Sequence, residues 1–154
     1  MTSQKILVPY NFTGNDEKAI EFVMRTFRPD PEVDITLFHT YVPIPEIEVS
    51  DKSVMARMAG NLSYLRQKRN ELEAALAAAA GRLIEAGFSE DRVRCIFKRR
   101  QKETAQEIID HAVNGEFSTI VLNHSPGKIR KFFTTSISRK VEKALQFKKI
   151  YIVG

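Results

Sequence analysis

Short apolar bursts alternate along this chain with longer stretches whose apolar residues recur every three or four positions. Lys5-Ile6-Leu7-Val8-Pro9 reads as a short, buried strand. Thr13 or Asn15 can then cap a helix carrying Ala19, Ile20, Phe22, Val23 and Phe27, which Pro29 and Pro31 end. Val33 to Tyr41 is rich in β-branched and aromatic residues and predicts a second strand, followed by a loop at Pro43 and Pro45.

The longest helical period runs from about Ser53 to Gly87. Leu62, Leu65, Leu72, Leu76, Ala79 and Leu83 fall near one stripe, with Arg66, Lys68, Arg69, Asn70 and Glu71 on much of the remainder. A break is expected near Gly60, and Gly87 suits a helix stop. The stripe also has seven-residue spacing, but Arg69 interrupts that seam, so the expected role is a crossover helix lying on a sheet. Val93 to Phe97 predicts a third strand, Glu103 to Val113 a helix, and Thr119 to Leu122 a fourth strand. Thr135 to Gln146 predicts the last helix and Ile150 to Val153 the last strand.

This alternation implies right-handed crossovers and a three-layer α/β fold: one open sheet of about five parallel strands with helices on both faces. No internal repeat or low-complexity linker divides the 154 residues, so residues 1–154 are expected to form a single domain. An apolar fraction of 43% suits an ordinary globular chain and excludes a disordered one. The lone Cys95, in the alternating run Val93 to Phe97, excludes a disulfide framework within one chain and is expected to be buried. No apolar run approaches the roughly 18 residues that span a bilayer, and no signal sequence is visible. A cytoplasmic protein is expected, with no membrane partner.

Charge is unevenly placed. The net value is +5, yet the segment from Lys128 to Gly154 alone carries +7 and the remainder −2. With Lys98, Arg99, Arg100 and Lys102 this makes a positive zone attractive to phosphates, or simply a solvated face. Interleaved aromatics are confined to Phe132 and Phe133, so binding of nucleic acid or an acidic partner through the basic C-terminal region is the least favoured alternative.

Ligands of open α/β sheets sit at the carboxyl end of a strand and the amino end of the next helix. Here that place is the loop Asn123-His124-Ser125-Pro126-Gly127-Lys128 and the helix opening Thr134-Thr135-Ser136. A phosphate cradle there usually uses several glycines, and this loop has only Gly127. Pro126 has no N–H to donate. The hydroxyls, the helix end and Lys128, Arg130 and Lys131 still offer an anion a place to dock.

Ile6-Leu7-Val8-Pro9, the turn Asn11-Phe12-Thr13, Leu37-Phe38-His39, Thr119 to Leu122, Thr135 to Val141 and Ile150 to Val153 together resemble the universal stress protein family across essentially the whole chain. The resemblance implies a Rossmann-like sheet and a homodimer formed through the final strand, here Ile150, Tyr151, Ile152 and Val153. It also implies a stress-response or signalling role. Nucleotide-binding members carry an acidic residue after the first strand and a G-2x-G-9x-G-[S/T] loop; here Asn11 takes the acidic position, and Leu122, Ser125 and Thr135 take those of the three glycines. Weak or lost ATP binding is therefore expected. If ATP, another adenine nucleotide or a phosphorylated small molecule is bound, the implied contacts are Pro9, Asn11, Asn123, His124, Ser125, Gly127, Lys128, Thr135 and Ser136.

No catalytic or metal-binding residue is expected. His39 reads as a packed, hydrogen-bonded histidine and His111 as structural or surface; His124 lies in the ligand loop without a nearby carboxylate to orient it as a base. Three scattered histidines make a poor metal set. Asp16 and Glu17 read as acidic residues favoured at a helix start rather than as an acid/base pair.

Overall fold

A computed structural model describes residues 4–12, 15–27, 32–42, 52–123 and 135–153. The strands are β1 (Gln4–Pro9), β2 (Val33–Tyr41), β3 (Val93–Arg99), β4 (Thr119–Asn123) and β5 (Lys149–Val153). The helices are α1 (Asn15–Phe27), α2 (Lys52–Glu85), α3 (Thr104–Asn114) and α4 (Thr135–Ala144), with one 3-10 turn at Glu90–Arg92. All five strands are parallel, in the order β3-β2-β1-β4-β5. The expected open α/β sheet is present.

Because successive side chains alternate, β1 and its neighbours feed two separate cores. Ile6, Val8, Ile35, Leu37 and Val121 join α1 residues Ala19, Ile20 and Val23 and α2 residues Leu76, Ala79 and Leu83. On the other face Leu7, Phe38, Ile120 and Leu122 join Ala105, Ile108 and Ala112 of α3 and Val141 of α4. Burial on both faces explains the unbroken apolar runs in β1 and β4. The chain fills the sheet outward from β1 through β2 to β3, then returns to the other side of β1 for β4. That reversal opens a crevice between the carboxyl ends of β1 and β4.

Two expectations change. The long helix runs through Gly60 without a break; that glycine is exposed and a Cβ there would meet nothing within 4 Å. It ends where expected, with Gly87 at φ 114° and the Phe88 N–H donating to the Leu83 carbonyl. Only glycine takes that left-handed turn without strain, and the turn tucks Phe88 into the core beside Leu83. Cys95, expected to be buried, is exposed. β3 is an edge strand, so its face is only partly covered: the Cys95 Sγ lies 3.6 Å from the Leu76 carbonyl of α2 while the strand's outer side is open.

The apolar stripe of α2 also divides. Leu76, Ala79 and Leu83 are buried, whereas Leu65 is 41% exposed. Leu76→Ala is accordingly expected to cost about 2–5 kcal/mol in urea unfolding, as a cavity in a packed core does. Leu65→Ala should stay within about 0.5 kcal/mol, the range of surface substitutions.

Candidate functional site

The carboxyl ends of β1 and β4 meet a single carboxylate. Asp16, in the first turn of α1, accepts the Asn11 backbone N–H at 3.1 Å on Oδ1, and the same oxygen accepts the side-chain amide of Asn123. The Asn11 amide in turn donates to Asn123 Oδ1 at 3.0 Å. Asn11, Asp16 and Asn123 are 4%, 1% and 0% exposed. The strand ends leave backbone and amide donors that water cannot reach, and an acid at a helix start is favoured by the helix dipole and positioned to accept them.

The backbone turns sharply to make this possible. Phe12 has φ 61°, a left-handed conformation that costs a non-glycine residue roughly 1 kcal/mol. Its ring offsets that cost by packing edge-on against Tyr10 at 5.0 Å and His39 at 4.7 Å. His39 stacks on Phe97 at 5.5 Å, and its Nδ1–H donates to the Tyr10 carbonyl at 2.8 Å, which fixes the ring's tautomer. Burial lowers the His39 pKa below its ordinary 6.5; the hydrogen bond to Tyr10 opposes this and the Arg100 charge adds to it. Burial also raises the Tyr10 hydroxyl to about 12, helped by the negative charges of Asp16 and Glu17 and opposed by Arg82. Tyr10 is therefore a neutral, protonated wall of the site.

Beside this cluster lies a cleft lined by Tyr10, Asn11, Phe38, His39, Thr40, Thr104 and Ile108, about 260 Å³ including its solvent-open mouth. Little of that space is enclosed: the part sheltered from solvent is about the size of one water molecule, far below the roughly 300–1,000 Å³ usual for small-molecule sites. The segment leading into α3, at one wall of the cleft, is held by a carboxylate of that helix. Glu107 Oε1 accepts the N–H groups of Gln101 and Lys102 at 2.9 and 2.8 Å, and its other oxygen pairs with Lys98 at 3.5 Å. Burial pushes the Glu107 carboxyl up, but these donors together hold it below its ordinary value.

Of the residues expected to contact a ligand, Pro9, Asn11 and Asn123 are brought to the crevice at the ends of β1 and β4. Leu122 is not an open position in a cradle: its side chain is fully buried in the core shared with α3 and α4. His124, Ser125, Gly127 and Lys128 lie outside the described residues. Thr135 and Ser136 open α4. Asp16 stands in the first turn of α1 as the sequence indicates, but its reach back to Asn11 and across to Asn123 has no sequence signal. Thr40 and Thr104 had no sequence signal.

Asp16→Ala should cost about 2–4 kcal/mol in urea unfolding, because it strands buried donors. Asp16→Asn, which keeps one acceptor oxygen, should cost less. His39 and His111 both have pKa values lowered first by burial, so the unfolded chain takes up protons before the folded one does. Stability should be whole above pH 6.5 and fall as the pH drops from 6.5 through the folded-state values. NMR titration should place both midpoints below 6.5, and His39→Gln should flatten the fall.

Comparison with known proteins agrees with the fold. The model of the universal stress protein family matches residues 2–145. No curated protein matches the chain. Among solved structures, a universal stress protein family member from Burkholderia pseudomallei is similar with TM-score 0.65 and 13% identity, covering 98% of this chain and 96% of that one. The universal stress protein from Archaeoglobus fulgidus in complex with dAMP has TM-score 0.61 and 16% identity, covering 100% of both chains. A universal stress protein in complex with cAMP has TM-score 0.58 and 13% identity, covering 99% and 98%. With the family model spanning nearly its whole length and the same sheet in its relatives, this chain belongs to the universal stress protein family.

Proposed function

We propose that this protein is a non-catalytic, cytoplasmic stress-response or signalling module that acts as a homodimer and binds ATP weakly or not at all. The observation that carries this reading is the closed polar cluster at the crevice: Asn11, Asp16 and Asn123 spend hydrogen bonds on one another. A ligand that drew on those groups would first break buried bonds, each at a cost of about 1–3 kcal/mol. Tyr10 is held protonated and the Asp16 carboxylate is engaged by Asn11 and Asn123, so neither is poised as a catalytic base.

The dimer is supported by β5. It pairs with β4 on one side, lies at the sheet edge and leaves Ile152 44% exposed. An uncovered apolar edge strand is a liability that a symmetric partner removes. Ile150, Tyr151, Ile152 and Val153 supply that interface.

The second reading is an adenine nucleotide or other phosphorylated ligand held through an altered loop after β4. The dAMP and cAMP complexes of relatives favour it. Its contacts would be Pro9, Asn11, Asn123, His124, Ser125, Gly127, Lys128, Thr135 and Ser136.

Mass spectrometry of small molecules released on denaturation should find no nucleotide in the purified protein. Melting with millimolar ATP, ADP, AMP or cyclic AMP should shift Tm by no more than about 1 °C, since a ligand at its own Kd adds only about 0.4 kcal/mol. A rise of several degrees that Gly127→Val abolishes would establish the second reading instead. Ile152→Asp should halve the mass in light scattering; an unchanged mass would remove β5 as the interface.

A further inference from the structure

The stripe that seats α2 on the sheet continues past the sheet. Leu62, Leu65, Arg69, Leu72, Leu76, Ala79 and Leu83 alternate spacings of three and four, the a/d pattern of a helix that meets another helix. The sequence carries the same spacing back through Met58 and Met55. Only Leu76, Ala79 and Leu83 are buried, and Leu62 and Leu65 belong to neither core. Length explains the difference. The 34 residues of α2 span about 51 Å, against about 30 Å for the nine-residue β2. Arg69 lays its guanidinium 5.5 Å from the ring centre of Tyr41, the last residue of β2, so the preceding turns overhang the sheet.

Charge says what covers them. From Lys52 to Asn70 there are five basic residues and no acidic one. Arg66 and Lys68 occupy the positions that flank the Leu62–Leu65 seam; both are exposed, and neither enters an ion pair among the described residues. The acids Glu46, Glu48 and Asp51, earlier in the sequence, lie outside those residues. A second copy of the helix would set Arg66, Lys68 and Arg69 against their own kind, which is repulsive. Nucleic acid has no use for an apolar seam.

We propose that the overhanging half of α2 docks an acidic amphipathic helix of a partner protein, with apolar residues at its a and d positions meeting Leu62 and Leu65 and carboxylates at its e and g positions meeting Arg66 and Lys68. This surface is separate from the crevice and from β5.

The probe is a labelled three-heptad peptide with Leu at a and d and Glu at e and g, titrated with the full chain at low ionic strength and followed by fluorescence anisotropy. Saturable binding is expected. Arg66→Glu with Lys68→Glu should weaken it by at least about tenfold, and a peptide with Lys at e and g should restore it. Leu62→Ser with Leu65→Ser should also weaken it while the melting curve stays close to that of the native chain. Absence of binding, or binding that both variants retain, overturns the proposal. So does tighter binding of phosphatidylglycerol vesicles or of poly(U) that the same charge reversal abolishes, since either assigns the surface to another class of partner.

Discussion

One buried carboxylate ties together the place where the sheet reverses. Asp16 receives the Asn11 backbone and the Asn123 side chain, and so joins the end of β1, the end of β4 and the start of α1. These three elements must converge in any sheet whose chain returns across its first strand, and the convergence leaves donors that water cannot satisfy. Filling that need with a side chain of the protein's own, rather than with a ligand, is the physical basis for reading the crevice as closed. The strained turn at Phe12 and the ring contacts among Tyr10, Phe12, His39 and Phe97 help to hold the same geometry.

The two sheet edges solve their exposure differently. β3 carries Arg94, Lys98 and Arg99, charges that discourage another strand from pairing. β5 ends in apolar residues, with Ile152 exposed, and invites one. The proposed homodimer rests on this asymmetry, since a partner strand at β5 alone gives a closed pair rather than an open chain of copies.

Conversely, the helix that shields the β3 side is longer than its task requires. Its lower turns bury Leu76, Ala79 and Leu83, and its upper turns keep the same period without a core to enter. Fold and surface thus share one helical pattern, with the sheet deciding where the first ends and the second begins.

Much of the fold was legible in the sequence because buried parallel strands and amphipathic helices impose their periods directly: the five apolar bursts, the stripe in each helix and the glycine stop at Gly87 all lie where the pattern put them. Asn11 and Asn123 were legible as residues at the carboxyl ends of β1 and β4, because position at a strand's end is a local property. What only the tertiary structure decided are the relations that join residues far apart in the chain. Asp16 looks like any helix-start acid until Asn123, 107 residues away, reaches it. Cys95 and Leu65 look like core until the sheet's edge and the helix's length leave them outside. Periodicity tells which side of an element is apolar; only the assembled neighbours determine how far along that side the cover extends.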